Sequence, residues 1–89
     1  MFKIEAKRRV LRALEKLDRE RKDRVREVLM VLKMDPVPFR RFDVAKLRGY
    51  ENFYRIRIGD LRIIYEVKWR DRKILIHFIG ARERAYERF

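Results

Sequence analysis

Phe53-Tyr54-Arg55-Ile56-Arg57-Ile58-Gly59-Asp60-Leu61-Arg62-Ile63-Ile64-Tyr65-Glu66 is the stretch whose reading decides the fold. Two period-two runs flank Gly59-Asp60, a pair suited to the positive backbone φ of a tight hairpin turn. With a two-residue loop, Ile58 faces Leu61, Arg57 faces Arg62, Ile56 faces Ile63 and Tyr54 faces Tyr65. Tyr54, Ile56, Ile58, Leu61, Ile63 and Tyr65 then form one apolar face. Arg55, Arg57 and Arg62 share the other. Like charges directly opposed on a sheet are destabilising, so the hairpin calls for a counter-charge. Glu66 on the same face is one; an anion from outside the chain is another.

The composition points the same way. Twenty-six Lys and Arg against 14 Asp and Glu give 89 residues a formal charge of +12. Such a balance suits a polyanionic partner: nucleic acid, a ribonucleoprotein surface or an acidic protein. Charged residues make up 45% of the chain, above the usual quarter or so, and amides are scarce, a composition that fits a thermophile. One domain with a single small core is expected at this length.

The absences exclude whole classes of chemistry. There is no Ser, Thr or Cys, and His77 is the sole histidine. Acyl-enzyme and thiol mechanisms are therefore excluded, as are disulfides and a Cys/His metal site. No stretch approaches the ~20 apolar residues of a membrane span, so the expectation is a cytoplasmic protein with no membrane partner and no cofactor.

Outward from the hairpin, Phe2 to Glu5 alternates as a short strand. Val10, Leu11, Leu14 and Leu17 form one helical stripe; Val25, Val28, Leu29 and Leu32 form a second, over about residues 21–33. Asp18 is placed to cap the second helix, and Asp35-Pro36 ends it. Val44 to Leu47 reads as a weak strand, with a turn at Gly49 and Asn52. The second hairpin strand continues to about Trp69, Arg70-Asp71-Arg72 is a polar turn, and Lys73 to Ile79 is apolar enough for a central strand. The expected fold is α+β: an N-terminal helical hairpin packed on an antiparallel sheet. Where the first strand joins that sheet is left open.

On the residues alone, the arginine face is either a solvated strand face or a phosphate cradle, since guanidinium forks match phosphate oxygens. Arg82, just past the last strand, and Tyr86 are candidates to join it. His77, in an apolar strand, is more readily a core group than a general base. Arginine does not titrate, but it stabilises charge developing as an RNA 2′-hydroxyl attacks the adjacent phosphate. RNA brings its own nucleophile, which suits a chain without one.

Lys46-Leu47-Arg48-Gly49, then Tyr54-Arg55-Ile56-Arg57-Ile58-Gly59-Asp60-Leu61-Arg62-Ile63-Ile64-Tyr65, then Gly80-Ala81-Arg82-Glu83-Arg84-Ala85-Tyr86 together resemble the RelE branch of the RelE/ParE toxin superfamily, archaeal or thermophilic in character. The resemblance implies a metal-independent endoribonuclease that cuts mRNA in the ribosomal A site, leaves a 2′,3′-cyclic phosphate, inhibits translation and is neutralised by a RelB-like antitoxin. Arg62 and Arg82 match arginines that stabilise the scissile phosphate, and Tyr86 a tyrosine that stacks on or orients a base. Arg55 and Arg57 stand where the best-known bacterial members carry lysines, one of them proposed as general base; here they are expected to bind phosphate, and the base is left open. Lys46, Arg48 and Arg84 are expected as supporting RNA contacts. The alternatives are a ParE-like inhibitor of DNA gyrase and a non-catalytic RNA-binding module.

Overall fold

The structure is a computed structural model, which describes residues 1–81. Its elements run β1 (Lys3–Ala6), α1 (Arg8–Lys16), α2 (Arg19–Met34), β2 (Asp43–Lys46), β3 (Phe53–Ile58), β4 (Leu61–Lys68) and β5 (Lys73–Ala81). The five strands form one sheet in the order β1-β5-β4-β3-β2. Strands β2 to β5 pair antiparallel, as expected, while β1 joins the sheet edge parallel to β5. That placement makes β5 an inner strand between β1 and β4 and accounts for its apolar run. The helical hairpin packs on the sheet as expected, and the sheet is mixed at this one edge.

The decisive hairpin has the register its sequence implies: Ile58 opposite Leu61, Arg57 opposite Arg62, Ile56 opposite Ile63 and Tyr54 opposite Tyr65. Gly59 takes φ +57° and Asp60 stays outside the positive range, the pattern of a turn with glycine at its first central position. Side chains from α1 and α2 (Val10, Val25, Val28 and Leu32) pack on Ile56, Leu61, Ile63, Tyr65, Ile74, Ile76 and Ile79 to make the core. Leu11 departs from its expected stripe. It is 50% exposed, because one residue past Val10 lies about 100° further round the helix.

Three polar contacts tie the helical layer and its connector to the sheet. Asp18 caps α2 by accepting from the Arg21 backbone N at 2.9 Å, and the Arg21 guanidinium reaches across to the hairpin turn, donating to both carboxylate oxygens of Asp60 at 3.0 and 2.6 Å. Arg9 of α1 donates from Nε and Nη2 to the His77 carbonyl at 3.3 and 3.1 Å. The third is buried. The Tyr65 hydroxyl, on a fully buried side chain, donates to the Pro36 carbonyl at 2.7 Å, which pins the connector after α2 against the core.

Removing the Tyr65 hydroxyl orphans that carbonyl. Tyr65→Phe is expected to cost about 1–2 kcal/mol, read as a lower urea midpoint with an unchanged m-value.

Candidate nucleic-acid interface

Alternation along the strands sorts the sheet into two faces. The one turned away from the helices carries, in cross-strand order, Asp43, Arg57, Arg62 and Gly80 in one row, and Ala45, Arg55, Ile64 and Phe78 in the next. The three hairpin arginines therefore share a face, as the register required. Leu47, Ile64 and Phe78 are buried together on this side, with Phe53 packed against them. The result is an apolar floor with guanidinium groups along one edge.

The counter-charge is Asp43, not Glu66. Paired with Arg57 across β2 and β3, Asp43 accepts from Arg57 Nε at 2.8 Å, and its Oδ2 lies 2.7 Å from Arg57 Nη2. Arg57 thereby holds the Asp43 carboxyl below its usual range, with help from the charge of Arg55. Arg55 fares differently. Its side chain is only 13% exposed, and its Nη1 stands 3.4 Å from Asp43 Oδ1, without hydrogen-bond geometry and buried. A buried guanidinium N–H with no acceptor is costly, and Asp43 is divided between two guanidinium groups. Asp43 escapes a reading of the sequence because it lies 14 residues before Arg57, across a loop whose length sets the register.

Glu66 is engaged elsewhere. Its Oε1 lies 3.1 Å from His77 Nε2. Tyr65 pairs with Ile76 and Ile64 with Phe78, so His77 is the extra residue of a β-bulge. Such a bulge re-aims side chains: Ile76 and Ile79 point to the core, while Phe78 joins the apolar floor. The His77 ring packs 4.8 Å from Phe53, whose ring is 5.3 Å from that of Tyr50. Burial lowers the His77 pKa from 6.5 against the opposing bond to Glu66. The expected apolar surroundings of His77 hold; its carboxylate partner and the bulge are additions from the tertiary structure.

The other candidates divide. Lys46 pairs with Tyr54, which places it on the helix side of the sheet, away from the arginines. Arg48 is exposed in the loop after β2. Arg82, Arg84 and Tyr86 lie outside the described residues. Among those residues, no helix is long and apolar enough to cross a membrane.

Two outcomes follow from this geometry. Asp43→Ala frees the guanidinium groups of Arg55 and Arg57, so the protein is expected to bind a fluorescent single-stranded RNA more tightly and with a steeper salt dependence, by up to about one phosphate contact. Burial makes His77 harder to protonate in the folded state than in the unfolded chain, where its ordinary value is 6.5. Stability is therefore expected to fall as pH drops from about 7.5 to about 5.5. In urea titrations at the two pH values, His77→Gln should show a smaller loss than the parent.

Comparison with known proteins agrees with this fold. The family model described as the ParE toxin of the type II toxin–antitoxin system, parDE, matches residues 4–86. A putative toxin RelE1 of Methanocaldococcus jannaschii is 40% identical over 86 residues, covering 97% of this chain and 96% of that protein. Among solved structures, the archaeal RelE–RelB complex from Pyrococcus horikoshii OT3 contains a chain that matches with a TM-score of 0.84 at 37% identity, over 94% of this chain and 98% of that one. The RelB–RelE antitoxin–toxin complex from Methanococcus jannaschii gives 0.78 at 22% identity over 96% and 98%, a likeness of fold. With the family model spanning nearly the whole sequence and an archaeal RelE relative at 40% identity, the chain belongs to the ParE toxin family of type II toxin–antitoxin systems, as a RelE-type toxin.

Proposed function

We propose that this RelE-type toxin is an endoribonuclease that cuts mRNA in the A site of the ribosome, stops translation and is held inactive by a RelB-like antitoxin in the cytoplasm. The observation that carries the reading is the arginine row. Arg57 faces Arg62 with Arg55 beside them, and Arg55 and Arg57 share the single carboxylate of Asp43. A phosphodiester supplies acceptor oxygens and charge together.

The chemistry fits what the chain lacks. With no Ser, Thr or Cys, the nucleophile is the RNA 2′-hydroxyl. It attacks the adjacent phosphorus, loses its proton, expels the 5′-oxygen of the next nucleotide and leaves a 2′,3′-cyclic phosphate. Arg55, Arg57 and Arg62 bind the phosphate and stabilise the charge that grows on its oxygens, and Arg82 takes the same role from beyond β5. None of these arginines accepts the proton. The antitoxin partner rests on the likeness to toxins solved as RelE–RelB complexes and on the chain's +12 charge, which an acidic partner complements.

Primer extension on mRNA in a translating extract tests the reading. The purified protein is expected to give codon-phased cuts. Arg62→Ala and Arg82→Ala should each lower the cutting rate about a hundredfold or more. Intact mRNA with inhibited DNA gyrase would replace this reading by the gyrase-directed one.

A further inference from the structure

The loop between β2 and β3 is held by hydrogen bonds at both ends and carries the exposed Tyr50. Gly49 and Asn52 take φ +86° and +62°, Leu47 N donates to the Phe53 carbonyl at 2.9 Å, and Val67 N donates to the Asn52 carbonyl at 2.8 Å. Trp69 Nε1 donates to the Asn52 side chain at 3.2 Å. On this frame Tyr50 is 50% exposed. Tyr50 leans on Phe53 at 5.3 Å between ring centres, and Phe53 leans on His77 at 4.8 Å. Glu66 anchors the far end of the row through His77 Nε2.

This row continues the arginine face. Phe53 and Arg55 are two residues apart on β3 and point the same way, about 7 Å apart along the strand, on the scale of one nucleotide of an extended chain. Arg48, also exposed, lies two residues before Tyr50. A cationic track beside an exposed, braced aromatic ring is the arrangement that binds single-stranded nucleic acid, with guanidinium groups on the phosphates and rings on the bases.

We propose that Tyr50, backed by Phe53 and His77, is a stacking subsite for a nucleobase of the single-stranded RNA whose phosphate lies on Arg55. The subsite rests on the phosphate reading of the arginines but adds a contact that phosphates alone do not give. A π-face is common to all four bases, so it confers affinity for a base over none, with little discrimination among bases.

The test compares two fluorescein-labelled oligomers with the same number of phosphates: a 2′-O-methyl hexa-adenosine, which has no 2′-hydroxyl to attack its own backbone, and a hexamer of abasic residues. Affinities are measured by anisotropy at one fixed salt concentration. The parent protein is expected to bind the adenosine oligomer about tenfold tighter than the abasic one. Tyr50→Ala should bring the two within about twofold by weakening only the adenosine oligomer, and Tyr50→Trp should restore the preference. Arg55→Ala should weaken both oligomers in parallel. A base preference that survives in Tyr50→Ala, or its absence in the parent alongside arginine-dependent binding, overturns the stacking subsite and leaves the phosphate reading standing. Failure of the parent to bind either oligomer overturns both.

Discussion

Arg57 faces Arg62 because a two-residue turn leaves no other register, and the face away from the helices is built around that pairing. Ile56 and Ile63 must both point to the core, so their neighbours must both point away. Those neighbours are arginines. Sliding the register by one residue would relieve the charges but turn the apolar set outward, removing Ile56, Ile63 and Tyr65 from the core they share with both helices. Burial of that set outweighs repulsion between guanidinium groups, which is modest where water and a carboxylate screen it.

Asp43 provides part of the compensation. Placed by β2 beside Arg57, it is shared between Arg57 and Arg55. That sharing eases the repulsion along the arginine row. Arg21 grips Asp60 at the tip of the same hairpin, so the turn that sets the register is tied to the start of α2. The arginines are thus presented from a hairpin fixed at its tip by α2 and along its flank by β2. Preorganisation of this kind reduces the cost of ordering long side chains when a ligand arrives.

The opposite end of the face is organised by the bulge at His77. Were alternation regular past Ile76, Phe78 would point into the core and the apolar floor would lose one of its two phenylalanines. Arg9 holds the bulge carbonyl from α1, and Glu66 holds the ring. The helical layer therefore reaches through the sheet edge to set the floor on the far side, a coupling between the core and the candidate RNA face.

The sequence by itself determined what depends on local spacing. Gly59-Asp60 fixed the hairpin and hence the shared face of Arg55, Arg57 and Arg62; the helical stripes, Asp18 and Asp35-Pro36 fixed the helical hairpin and its ends. The missing hydroxyls and thiols limited the chemistry. Only the tertiary structure decided what depends on loops and partners far along the chain. It set β1 parallel to β5, because closing that edge involves nearly the whole chain and no local pattern encodes it. Through the length of the β2–β3 loop it brought Asp43 to Arg57 and turned Lys46 to the helix side. The bulge, finally, gave His77 to Glu66 and Phe53, since an apolar run without alternation does not announce which residue is the extra one. Charge type and periodicity are carried by neighbours in sequence; counter-charges and registers across loops are set by the packing of the whole sheet.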